Sequence, residues 1–123
     1  MAEMDVALKD AMQISGAIGA ALVDHTSGMA LGTVGGSKDF DLTTAAAANT
    51  DVIRAKLHTM EMLDLRESIE DVLVTLGSQY HLIRPLTSRS GNGLFLYLAL
   101  NRDRANLAMA RHQLRNIERA LEI

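Results

Sequence analysis

Apolar positions recur along this chain with two periods, one near 3.6 residues and one of 2, and the switches between them mark out eight elements. Met4, Leu8, Ala11, Met12 and Ser15 fall at helical spacing, with Asp5, Lys9 and Asp10 elsewhere around the axis. They predict an amphipathic helix over about 3–14, ended by Gly16. Ala17 to Asp24 is an apolar run with small residues on both faces, the mark of a strand covered on both sides. Turn chemistry at Asp24-His25-Thr26-Ser27-Gly28 and a second run from Met29 to Val34 predict a hairpin, which Gly35-Gly36-Ser37 breaks.

A long helix is predicted over roughly 40–62, capped by Asp39 or Asp41. It carries two apolar stripes. Leu42, Ala46, Asn49, Ile53, Leu57 and Met60 form the first. Ala45, Ala48, Val52, Ala55, Thr59 and Met62 form the second, in alternating steps of three and four, a coiled-coil-like seam of mostly small side chains. Two apolar faces need two covers. The domain's own sheet supplies one, and a second copy of the chain or a partner subunit supplies the other.

Ile69 to Leu76 alternates as a strand, and Gly77-Ser78 predicts a two-residue turn with positive φ at the glycine. Gln79 to Leu86 returns, with Pro85 at its end where a missing N–H is tolerated. Thr87 to Gly93 is a polar loop, and Leu94 to Leu100 is a strand apolar on both faces. A last helix over about 102–121, capped by Asn101 or Asp103, buries Leu107, Ala110, Leu114, Ile117 and Leu121. The order is α-β-β-α-β-β-β-α, an α+β fold with a five-stranded antiparallel sheet flanked by segregated helices.

Composition narrows the function. The 123 residues amount to one domain, 1–123, and exclude a multidomain enzyme. With 48% hydrophobic and only 3% aromatic residues the core is aliphatic, and the stacking platforms of single-stranded nucleic-acid binders are missing. The absence of Cys excludes disulfides and thiolate metal sites and fits a reducing interior. No apolar window is long enough to span a membrane, and the acidic start Met1-Ala2-Glu3-Met4-Asp5 lacks the basic region of a secretion signal, so the expected location is cytoplasmic. Net charge is −3, unevenly spread: residues 1–80 carry 5 basic and 12 acidic side chains, a balance of −7, and residues 81–123 carry 7 and 3, a balance of +4.

Candidate chemistry is thin. Gly32-Thr33-Val34-Gly35-Gly36-Ser37-Lys38-Asp39 imitates a phosphate loop, but Ser37 stands where the second glycine is needed and Asp39 would repel phosphate. Asp24, His25 and Ser27 are triad residue types on successive turn positions, where side chains diverge. His25, His58, His81 and His112 show no i, i+4 metal spacing. Glu61, Asp64, Glu67, Glu70 and Asp71 form an acidic cluster, expected to be solvated or to face a partner. Arg102, Arg104, Arg111, Arg115 and Arg119 spread around several turns, with Asp103 and Glu118 among them, so they make no continuous nucleic-acid face. Neither a catalytic residue nor a cofactor or metal site is expected.

Three segments carry a family resemblance. Gly19-Ala20-Ala21-Leu22-Val23-Asp24-His25-Thr26-Ser27-Gly28-Met29-Ala30-Leu31, the Ala-rich long helix, and Glu70-Asp71-Val72-Leu73-Val74-Thr75-Leu76-Gly77-Ser78-Gln79-Tyr80-His81-Leu82-Ile83-Arg84-Pro85-Leu86 together resemble the Roadblock/dynein light chain family, in its bacterial branch of small-GTPase regulators. The resemblance runs from about Asp5 to Leu121, and its specificity lies in the order and spacing of the segments. It implies a regulatory or scaffolding protein and not a stand-alone enzyme. Members dimerise by pairing long helices and joining third strands into one ten-stranded sheet. Here the helix contribution would be Ala45, Ala48, Val52, Ala55 and Met62, and the strand contribution Val72, Leu73, Val74 and Thr75. Members commonly bind small Ras-like GTPases, and some activate GTP hydrolysis. Arg89 is the loop arginine that could act as a finger, but the family does not generally depend on one and none is assigned. The expectation is therefore a homodimeric GTPase-binding regulator. An assembly adaptor without GTPase contact and a small-molecule sensory domain are the alternatives.

Overall fold

A computed structural model describes residues 3–87 and 91–121. Its elements are α1 (Met4–Met12), β1 (Ala17–Asp24), β2 (Met29–Gly35), α2 (Leu42–Met62), β3 (Val72–Thr75), β4 (Gln79–Pro85), β5 (Leu94–Asn101) and α3 (Leu107–Ala120). The strands form one antiparallel sheet in the order β2-β1-β5-β4-β3, so β2 and β3 are its edges.

Strand alternation divides the core into two layers. Ala20 and Leu22 of β1, Leu82 of β4, and Leu96 and Leu98 of β5 point to one face, where Leu8 and Ala11 of α1 and Ala110 and Leu114 of α3 cover them. Ala21, Val23, Ile83, Phe95, Tyr97 and Ala99 point to the other, beneath Leu42, Ala46 and Ile53 of α2. β5 is buried from Leu94 to Leu100, as a central strand with helices on both sides must be. On its own face α2 lies across β1 and β2. The same face of β3 and β4 is less covered, and Val72, Val74, Gln79 and His81 are only half-buried.

The element order agrees with the sequence pattern, and four details differ. α1 stops at Met12, and Gly16 (φ 87°) instead makes the turn into β1, where a Cβ would meet Ala105 N and Asn101 O at 3.0 Å. β3 keeps only four of the eight residues expected, because Glu70 and Asp71 are drawn to arginines of α3 and Leu76 turns its N–H onto Gln79 O at 2.8 Å. Gly77 in that turn has no positive φ, and Arg102 reaches the turn from outside, donating to Leu76 O and Ser78 O. α3 begins at Leu107, not 102. β5 continues pairing through Asn101, and the capping side chain is Asn106, which accepts from Met109 N at 3.1 Å. Of the two expected caps for the long helix, Asp41 holds the place.

Candidate functional site

The second stripe of α2 faces away from the core. Ala48, Ala55, Val52 (38% exposed) and Met62 (67% exposed) are open to solvent, while Ala45 and Thr59 are half-buried. Beside it runs the edge strand β3, with Val72, Leu73 and Val74 half-buried and Thr75 exposed. Between helix and strand lies an open groove of about 590 Å³, lined by Val52, Ala55, Lys56, Thr59, Ile69, Asp71 and Val72. The first stripe is less regular than its spacing suggested. Leu42, Ala46, Ile53 and Met60 are buried, and so is Thr50, which returns its hydroxyl to Ala46 O at 2.8 Å. Leu57, expected in the core, is 40% exposed and lines a second groove with Ile69, Pro85 and Leu86.

Polar chemistry gathers beneath this region at His81. The ring stands edge-on to Phe40 at 5.8 Å and to Tyr97 at 5.5 Å. Nε2 lies within hydrogen-bond distance of the Gln79 side-chain amide, 2.7 Å from Oε1. Burial lowers the His81 pKa below its usual 6.5. The neighbouring Tyr97 phenol is pushed up to about 12, chiefly by burial, and a weaker opposing influence from Asn49 is overcome. The Asn49 amide is committed to Ala45 O at 2.7 Å, and the Tyr97 hydroxyl has no hydrogen bond among the described residues.

The other candidate clusters do not assemble. Asp24 turns to Thr26, accepting from its N–H at 2.9 Å and its hydroxyl at 2.6 Å, and these bonds hold the carboxyl below its ordinary pKa. Ser27 accepts from Met29 N, and His25 stacks on Phe95, so no relay joins the three. At the mock phosphate loop the first N–H groups of α2 are taken by Asp41, which accepts from Thr43 N at 2.9 Å and from the Thr44 hydroxyl at 2.9 Å. A carboxylate thus sits where a phosphate would bind. Glu61, Asp64 and Glu67 are exposed, whereas Asp71 pairs with Arg111 and Glu70 with Arg115. Among the described residues no three His, Cys, Asp or Glu side chains are grouped to hold a metal ion. No helix among them is long and apolar enough to cross a membrane. Arg89 lies outside the described residues.

No protein-family model and no curated protein matches the sequence. Solved structures do. The chain superposes on a Roadblock/LC7 domain from Streptomyces avermitilis with a TM-score of 0.81, at 15% identity, over 97% of this chain and 94% of that one. The chain has the Roadblock/LC7 fold. It is also similar to MglB from Myxococcus xanthus (TM-score 0.73, 15% identity, 93% of this chain and 77% of the other). The gliding protein MglB from Thermus thermophilus gives a TM-score of 0.70 at 17% identity, over 94% of this chain and 87% of that one.

Within this Roadblock fold two further polar arrangements escaped the sequence pattern. Arg84 of β4 and Glu118 of α3 form an ion pair with side chains 9% and 10% exposed, and Glu118 also accepts from the N–H and hydroxyl of Thr87. A signal was present: Arg84 falls in phase with inward Leu82 and Leu86, and Glu118 lies four residues after buried Leu114. Arg54 on α2 donates to His25 O at 2.9 Å and Thr26 O at 2.8 Å, tying the long helix to the β1–β2 turn. Nothing local in the sequence announces that tie.

Proposed function

We propose that this chain is a non-catalytic homodimeric regulator or scaffold of the cytoplasm that binds a small Ras-like GTPase. The observation that carries the reading is the groove between α2 and β3: a small-residue helix face left open beside an unpaired strand edge. Open main-chain groups on a strand edge invite pairing with another chain. A small-residue helical seam invites a second helix. A two-fold axis beside β3 satisfies both at once, with Ala45, Ala48, Val52, Ala55 and Met62 meeting their counterparts above a sheet continued through Val72, Leu73, Val74 and Thr75. The GTPase as partner is supported by the family resemblance and by the likeness to the gliding protein MglB.

The test combines capture and hydrolysis. The purified chain is incubated with a small Ras-like GTPase from the same genome, loaded with GDP or with a non-hydrolysable GTP analogue, and hydrolysis is followed with and without the chain. Binding in one nucleotide state, with or without faster hydrolysis, is the expected result. No binding in either state sinks the GTPase reading and favours an assembly adaptor built on the same dimer.

A further inference from the structure

β3 is four residues long, pairs among the described residues only with β4, and follows an irregular stretch exposed from Leu63 to Ser68. So short an edge strand would fray on its own ladder. Side chains from the far end of the sequence hold both its ends. Before it, Arg111 of α3 grips Asp71 with two bonds, Nε to Oδ2 at 3.0 Å and Nη2 to Oδ1 at 3.1 Å. One helical turn on, Arg115 reaches Glu70 at 3.5 Å. After it, Arg102 donates from Nη1 to Leu76 O at 2.7 Å while its guanidinium lies over the Tyr80 ring at 5.1 Å.

Asp71 has a second property: it also lines the α2–β3 groove. Its carboxylate is only 18% exposed in the single chain, and a second copy covering that groove would remove much of the water it still meets. A carboxylate buried without a partner costs far more than one paired bidentately with arginine. Arg111 approaches Asp71 from the α3 side of the sheet, outside the groove lining, so it can neutralise the charge without occupying the seam.

We infer that Arg111 is a positioning residue for self-association, fixing the start of β3 and neutralising Asp71 beneath the covering copy, with Arg115 and Arg102 bracing the same strand. The inference rests on the dimer reading above. It predicts an asymmetry between the two ends of the pair. Arg111→Ala leaves Asp71 unpaired at the seam and weakens the dimer about a hundredfold. Arg111→Ala with Asp71→Ala removes both charges and recovers most of that loss. Arg111 is partly exposed in the single chain, so neither variant abolishes folding.

Sedimentation equilibrium on the full chain measures the dimer constant, and amide exchange at residues 72–75 reports the strand. Weakening by Arg111→Ala, recovery in the double variant and faster exchange in the single variant support the inference. An Arg111→Ala dimer as tight as the wild type overturns it and leaves the dimer reading standing. A double variant no tighter than Arg111→Ala overturns the charge-neutralising role. A wild-type chain that stays monomeric removes the dimer reading and this inference with it.

Discussion

Replacing Val52 by Asp separates the single chain from the assembly. Val52 is 38% exposed on the groove wall, so in the free chain an Asp at this position keeps its hydration. A surface change of this kind shifts folding stability by about 0.5 kcal/mol or less. In the proposed dimer the position is covered, and an isologous interface counts every substitution twice. Burying an unpaired carboxylate costs several kcal/mol; at about 3 kcal/mol per chain the pair loses roughly 6 kcal/mol. That corresponds to a rise in the dissociation constant of about 10⁴. Multi-angle light scattering over a concentration series reads the mass, and thermal melting confirms that the variant is folded. Leu57→Asp is the control. Leu57 is 40% exposed on the same helix but lines the other groove, and its variant stays dimeric. An intact Val52→Asp dimer, or equal dissociation of Leu57→Asp, refutes this placement of the seam. Ala48→Asp follows the same reasoning, since Ala48 is exposed on the same stripe.

Further outcomes test the fold that carries the groove. Glu118→Ala strands the Arg84 guanidinium in the α3 layer and lowers stability by about 3–5 kcal/mol, a fall in melting temperature of roughly 10–20 °C by calorimetry. Arg84→Met with Glu118→Leu melts near the wild type, because no charge is left buried. Gly35→Ala costs about 1–3 kcal/mol in urea unfolding, because the residue sits at φ 81° and its Cβ would lie 2.7 Å from Ile18 O. The lowered pKa of His81 makes the unfolded chain bind more protons than the native one near and below pH 6.5. Urea midpoints should therefore fall as pH drops through that range, and His81→Gln should flatten the dependence.

How far the fold could be read from the sequence depended on how local each signal was. β1 was legible because its apolar run ends in Asp24, whose side chain folds back on Thr26 and starts the turn. β4 was legible because Pro85 closes it. The misplaced ends share a cause. α3 was expected at 102 because Asn101 and Asp103 are good caps, but the Arg102 N–H is bonded to Ser78 O across the sheet, so the helix waits for Asn106. β3 was expected from Ile69 because Glu70 and Asp71 do not interrupt its alternation, and only the position of α3 reveals that they are held elsewhere. In both places a tertiary contact overrides a local preference.

The same distinction explains which parts of the candidate site could be read. The seam of Ala48, Val52 and Ala55 is written within one helix as a repeat, so spacing alone exposes it. The Arg84–Glu118, Asp71–Arg111 and Glu70–Arg115 pairs join residues 34, 40 and 45 apart, and no local period links them. What the sequence did hold was the charge imbalance, acidic before residue 81 and basic after it. Two of these pairs cross that boundary, and both meet at the start of β3. Part of the imbalance is therefore internal complementarity between the last helix and the strand edge offered for pairing. A charge block read along a chain says where counterions are needed; only the packing says whether the chain itself supplies them.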